Sequence, residues 1–163
     1  MSSPSDYLLY NEETGDFIWK CYRSPNAIKG QKAGNINSHG YRKIFVGGRS
    51  YAAHRLAWLM VYGYEPEEVD HINGDKDDNR LCNLRECTRA QNVRNVGLRK
   101  DNTSGYKGVS FYYKTRKWMS CISVNGKTMH LGNYQTASQA FSAYCLAAYM
   151  FHGDFHNFGE PYV

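Results

Sequence analysis

The stretch Val69-Asp70-His71-Ile72-Asn73-Gly74-Asp75-Lys76-Asp77-Asp78-Asn79-Arg80-Leu81-Cys82-Asn83-Leu84, continued by Arg85-Glu86-Cys87-Thr88-Arg89-Ala90-Gln91-Asn92, decides how this chain is read. A short approach ends in Asp70-His71 and runs into a polar, turn-rich segment. Thr88 stands three residues before Gln91, the spacing of a capping box, so a short helix is expected from Arg89. Strand, loop, strand and helix then make a compact ββα unit. In it Asp70 and Asn92 converge from opposite elements on one cation, and their oxygen ligands suit magnesium or manganese, one ion per active site. His71 has the imidazole that can take a proton from water near neutral pH. Asn83 has no proton to move; its amide is expected to tie the loop together and orient His71.

Working outward, residues 7–50 read as short strands and turns. Tyr41 to Val46 is an expected strand, and Gly47-Gly48 an expected tight turn back to Arg49–Ala52. From Ala53 the period changes. Leu56, Leu59 and Met60 fall on one helical face, Gly63 ends the helix and Pro66 blocks its continuation. Residues 97–105 are polar and form a linker or an ordered boundary loop. Beyond them Trp118, Ser120, Ile122 and Val124 alternate with Met119, Cys121 and Ser123, and Asn125-Gly126 is a hairpin signal. Thr136 caps a helix expected to run to about His152. The fold class is therefore α+β: antiparallel hairpins before a ββα unit, then a three-stranded antiparallel sheet packed on one helix. The expected domains are 1–100 and 101–163.

Charge is unevenly placed in this 163-residue chain of net charge +5. Residues 17–64 carry eight basic side chains and no acidic one, and residues 65–78 carry seven acidic side chains and one lysine. A basic surface attracts a phosphate backbone and an acidic loop can hold a divalent cation, although a run of charges is also what a plain solvated surface looks like. Arg42, Lys43, Arg49 and Arg55 are the phosphate contacts expected on the first reading. The cysteines at 21, 82, 87, 121 and 145 form no CxxC pair, which speaks against a cysteine-rich zinc site and a disulfide scaffold. No membrane span or signal peptide is evident, so a cytoplasmic protein is expected.

The segment DHINGDKDDNRLCNLRECTRAQNVRN resembles the HNH motif of phage and intron-encoded homing endonucleases, and GYRKIFVGGRSYAAHRLAWLMVYG resembles the region such enzymes place before it. The resemblance implies a ββα-metal fold that cuts DNA with one divalent ion. It matches His71 to the general base, Asp70 to a metal ligand, Asn83 to the asparagine supporting the histidine loop, and Asn92 to the second ligand. Many members have histidine in that third place, so Asn92 favours magnesium over zinc or nickel.

The C-terminal stretch SGYKGVSFYYKTRKWMSCISVNGKTMHLGNYQTASQAFSAYCLAAYMFHG is similar to the plant ethylene-response-factor type of DNA-binding domain, which also occurs fused to phage HNH endonucleases. That likeness implies three strands on a helix, with the open sheet face in the major groove. The matching outward positions are Lys107, Ser110, Tyr112, Cys121, Ser123, Thr128 and His130. The reading that follows is a phage-encoded, site-specific homing endonuclease acting on double-stranded DNA in a bacterial host. With one Asp70-His71-Asn92 set per chain, a monomer is expected to nick, and double-strand cleavage needs a dimer or two encounters. The competing readings are a non-catalytic DNA-binding regulator and a structural protein that keeps the fold for packing.

Overall fold

Two adjacent glycines set the first sheet. Gly47 (φ 62°) and Gly48 (φ 81°) occupy left-handed conformations that other residues adopt at a cost. They close a two-residue turn between β4 (Arg42–Val46) and β5 (Arg49–Ala52), with Val46 paired to Arg49. β3 (Asn35–Ile36) joins the other side of β4, and a separate hairpin, β1 (Leu8–Tyr10) with β2 (Phe17–Trp19), precedes them. The chain passes from β5 directly into α1 (Ala53–Tyr62), which ends at Gly63, whose N–H donates to the Leu59 carbonyl at 3.0 Å. β6 (Glu68–His71) and β7 (Leu84–Cys87) form a second hairpin around a long loop.

The computed structural model describes residues 3–159. It divides into two compact units, Met1–Cys87 and Thr88–Val163. The helix expected to complete the ββα unit, α2 (Arg89–Arg94), therefore belongs to the second unit, upstream of the boundary loop expected at 97–105. No helix among the described residues is long and apolar enough to cross a membrane.

The core of the first unit gathers Leu8, Phe17, Ile44, Leu56, Val69 and Leu84. α1 buries Ala53, His54, Leu56, Ala57 and Trp58, while Leu59 and Met60 pack against the same core only partly buried. The inward face is thus rotated from the one the large apolar residues suggested. The small side chains of Ala53 and Ala57 let the helix backbone come close to its neighbours, and His54 is carried inward with them.

In the second unit, capping boxes start both helices. Thr88 and Gln91 exchange hydrogen bonds at 2.8 and 3.3 Å, and Thr136 and Gln139 do the same ahead of α3 (Ala137–His152). Each pair satisfies two backbone donors that the first helical turn would leave without partners. β8 (Val109–Tyr112), β9 (Lys117–Val124) and β10 (Lys127–Tyr134) form an antiparallel sheet with β9 central. Ile122 of β9 joins Tyr144, Ala147 and Ala148 of α3 in its core. The loop before β8 is irregular but ordered by side chains: Ser104 Oγ donates to the Tyr106 and Val109 carbonyls at 2.9 and 2.8 Å.

The β1–β2 turn clamps the β6–β7 loop. Tyr10 Oη donates to the Asn79 carbonyl at 2.7 Å, and Leu81 N–H to the Glu12 carbonyl at 2.9 Å. Gly15 (φ 75°) lies flat on this loop: a Cβ there would meet the Asn79 carbonyl carbon at 2.5 Å and the Arg80 nitrogen at 2.6 Å. Both atoms are backbone, so neither can swing away. Gly15→Ala is expected to lower unfolding stability by about 2–4 kcal/mol, from positive φ and steric overlap together. Urea unfolding checks this; a loss below about 0.5 kcal/mol, the range of ordinary surface changes, would refute the clamp.

Candidate active site

Asp70 and His71 end β6, where the strand meets its loop. The antiparallel register sets His71 opposite Leu84 and Asp70 opposite Arg85. Both β6 residues are buried, Asp70 to 5% exposure and His71 to 4%. The Asp70 Oδ2 accepts from Arg85 Nε at 2.9 Å and Nη2 at 2.7 Å. A carboxylate this deep needs a counter-charge, because an uncompensated buried charge is strongly destabilising.

The loop from Ile72 to Asn83 is built by its own polar groups. Asn83 Oδ1 accepts from the Asn73 N–H at 3.0 Å, and Asn83 Nδ2 donates to the Asp78 carbonyl at 2.9 Å. The Ile72 N–H donates to the Asn83 carbonyl at 2.8 Å, closing the loop at its neck. The acidic run serves the same loop. Asp75 and Asp77 each cap a backbone N–H or guanidinium: Asp77 N–H reaches Asp75 Oδ1 at 3.0 Å, and Arg42 grips both Asp77 oxygens at 2.8 Å. Arg80, hydrogen-bonded to Asp78, holds that carboxyl below its ordinary pKa.

His71 is enclosed by rings and amides. The His54 ring meets it edge-on, with centroids 4.8 Å apart and planes at 73°. The Tyr41 ring is 6.1 Å from His71 and 5.4 Å from His54. Burial pushes the His71 imidazole below its ordinary pKa, and the Asn79 side chain and the Asp70, Asp75 and Asp78 carboxylates partly offset this. A depressed imidazole is neutral near pH 7, the form that accepts a proton. Burial, then His71 and Arg55, drive His54 down to about 3.

Asp70, His71 and Asn83 are thus brought together in one hairpin. Asn92 lies in α2, half-buried, its N–H on the Thr88 carbonyl at 3.0 Å. For a cation, the hard oxygen of Asp70 suits magnesium or manganese. Among the described residues no group of three His, Cys, Asp or Glu side chains gathers around one point.

The basic residues expected to meet DNA have mixed surroundings. Lys43 is exposed on β4. Arg42 is bound to Asp77 and to the Gly34 carbonyl, with its side chain 11% exposed. Arg49 and Arg55 both reach Glu65, at 3.2 and 3.5 Å, and Arg55 also donates to the Pro66 and Glu67 carbonyls. In the second unit, register puts Ser110, Tyr112, Cys121, Ser123, Thr128 and His130 on the sheet face opposite α3, joined by Lys117, Met119 and Asn133. Lys107, expected on that face, precedes the strand and escapes its alternation. Its ammonium donates to the Arg94 and Val96 carbonyls, and burial lowers its pKa to about 8.

Sequence reasoning missed His54, Tyr41 and Arg85. Both His54 and Tyr41 fall in the stretch that resembles the region before the motif, but that likeness gives neither of them a role. Arg85 was deducible once the neck of the loop was known, because pairing His71 with Leu84 sets Asp70 against Arg85.

Residues 51–94 match the HNH endonuclease family model. Protein 3.8 of Escherichia phage T7 is 33% identical over 76 residues, 45% of this chain and 63% of that protein. The AP2-like ethylene-responsive transcription factor TOE2 of Arabidopsis thaliana is 43% identical over 54 residues, 33% of this chain and 11% of the plant protein. The chain thus spans less than two thirds of the curated relatives it matches. A solved structure described as DNA binding and cleavage by the HNH homing endonuclease I-HmuI aligns with 83% of this chain and 76% of its own, at 28% identity and a TM-score of 0.42.

His54 makes stability depend on pH. Its folded pKa, about 3, lies below the 6.5 of a free imidazole, so protonation favours the unfolded chain. Its contribution is complete above pH 6.5 and is lost as pH falls toward 3. His54→Phe removes that linkage. The stability of the variant relative to wild type is expected to rise steadily over this interval in urea titrations; a difference independent of pH would contradict the buried neutral imidazole.

Proposed function

We propose that this chain, which carries an HNH endonuclease segment at residues 51–94, is a divalent-metal-dependent endonuclease that hydrolyses phosphodiester bonds in double-stranded DNA. The observation that carries the reading is Asp70-His71 at the end of β6, within the matched segment, with the imidazole buried and held neutral. His71 is the general base: it takes a proton from water as the water oxygen attacks phosphorus and the 3′ oxygen departs. Asp70 would hold the cation, and Asn92 receives the same role on its place in the motif alone. A bound magnesium or manganese ion supplies charge stabilisation at the phosphate and the leaving oxygen. Asn83 keeps the loop closed, so that His71 and Asp70 keep their relative positions.

DNA recognition falls to the open sheet face of the second unit and to Lys43, with Arg49 and Arg55 able to exchange Glu65 for phosphate. The finer reading is a site-specific homing enzyme, of phage origin and working inside a bacterial host. The AP2-like stretch supports it as a DNA-reading unit fused to the cutting one. One Asp70-His71 set per chain supports nicking by a monomer, because antiparallel strands cannot present both scissile phosphates to one fixed site in the same pose.

His71→Ala is expected to fold and bind DNA but to lose cleavage by about 10²–10⁴-fold, the size of general-base assistance. Supercoiled plasmid incubated with each protein in magnesium measures it, and near-normal cutting by the variant would overturn the assignment. Chelation should stop the wild-type reaction and magnesium restore it; undiminished activity after chelation would defeat the metal role. In the same assay nicked circles should precede linear product, with rates first order in enzyme. Linear product from the outset, with a second-order rate, would show an obligate dimer.

A further inference from the structure

The ring that touches His71 is itself a histidine, and it stands on α1, ahead of the Asp70-His71 pair within the same matched segment. His54 sits in the first turn of α1, 9% exposed, with its edge-to-face contact to His71 at 4.8 Å. Its Nδ1 is buried and has no hydrogen-bond partner among the described residues. No hydrogen bond joins the two imidazoles either, so what His54 offers His71 is an aromatic ring rather than a polar contact. Tyr41 lies beside both rings, and the Lys76 ammonium stands over the Tyr41 ring, 4.9 Å from its centre. Edge-to-face packing has a preferred direction, unlike aliphatic packing, and it resists rotation of either ring.

A general base needs such resistance. An imidazole turns about two side-chain bonds; the Asn79 side chain meets the His71 ring from the loop, and the His54 ring packs edge-on against it from α1. Misplacing a reacting group by about 1 Å can cost about 10²-fold in rate. We propose that His54 is a positioning residue for the nuclease reaction: its buried ring, with Tyr41 beside it, holds the His71 imidazole in the orientation from which it takes the proton of the attacking water. The assignment rests on the nuclease reading for its chemistry but on the ring contact for its geometry, and the two can be tested apart.

The experiment compares wild type, His54→Leu, His54→Phe and His71→Ala. Leucine fills much of the space without a ring. Phenylalanine keeps the ring and removes the buried nitrogen, and it serves as the folding control for position 54. Single-turnover cleavage in magnesium, DNA affinity and histidine ring spectra by nuclear magnetic resonance are measured on each folded protein. His54→Leu should cut about 10–100-fold more slowly, within the range expected for a misplaced group, with DNA affinity unchanged. His54→Phe should restore most of the rate. The His71 ring signals, assigned by their loss in His71→Ala, should stay sharp in wild type and His54→Phe and should broaden or move toward solvent-averaged positions in His54→Leu. Wild-type cleavage by His54→Leu, or equal losses in His54→Leu and His54→Phe, would overturn the proposal. So would a His71 spectrum indifferent to the leucine. A wild-type protein that cuts no DNA would defeat the nuclease reading, and the spectra would still decide whether His54 orders the His71 ring.

Discussion

The side-chain amide of Asn83 is the constraint on which the first unit depends. A long connection between two short strands leaves many backbone N–H and C=O groups without ladder partners, and buried ones must find others. Asn83 serves both sides of the loop at once: its oxygen accepts from Asn73 and its nitrogen donates to the Asp78 carbonyl. An aspartate could not donate and a leucine could do neither. With the neck closed, His71 pairs with Leu84 and Asp70 with Arg85, so the positions of the imidazole and of the carboxylate follow from one amide.

Around that loop, opposite charges that lie far apart in sequence neutralise each other. The basic excess of residues 17–64 and the acidic excess of 65–78 read separately as two surfaces. In the fold they meet: Arg42 holds Asp77, and Arg49 and Arg55 approach Glu65. The Arg42 pair is bidentate and largely shielded, which makes it a structural tie, whereas the more exposed Arg49 pair is screened and contributes little to stability. Charge that looked available for a phosphate or a metal is partly used in shaping the loop. Lys43 escapes this use because strand alternation points it away from the Arg42 side.

The second unit follows a different logic. Its sheet is ordered by alternation, with Ile122 inward on α3 and Cys121, Ser123, Thr128 and His130 on the other side. The outer face is polar and lightly charged, so in the proposed DNA-reading role it would meet base edges rather than attract phosphate. Lys107 shows where alternation stops. One residue before the glycine that leads into β8, it obeys the loop, and its ammonium satisfies carbonyls at the end of α2.

Local chemistry made much of this legible in the amino-acid sequence. Thr88 with Gln91 and Thr136 with Gln139 announce helix starts, Gly47-Gly48 and Asn125-Gly126 announce turns, and period-two alternation names the outer face of the sheet. The spacing of Asp70, His71, Asn83 and Asn92 carries the resemblance on which the proposed chemistry rests, and capping, turn formation and strand alternation are legible because they act over a few residues and leave their mark there. Tertiary structure alone decided the rest. It chose which face of α1 turns inward, and so brought His54 to His71; it matched Arg42 with Asp77, and it gave Lys107 its carbonyls. Those contacts join residues distant in the chain, and they depend on how hairpins, helix and loop stack. A single histidine, arginine or lysine carries no local signal of the partner it will meet.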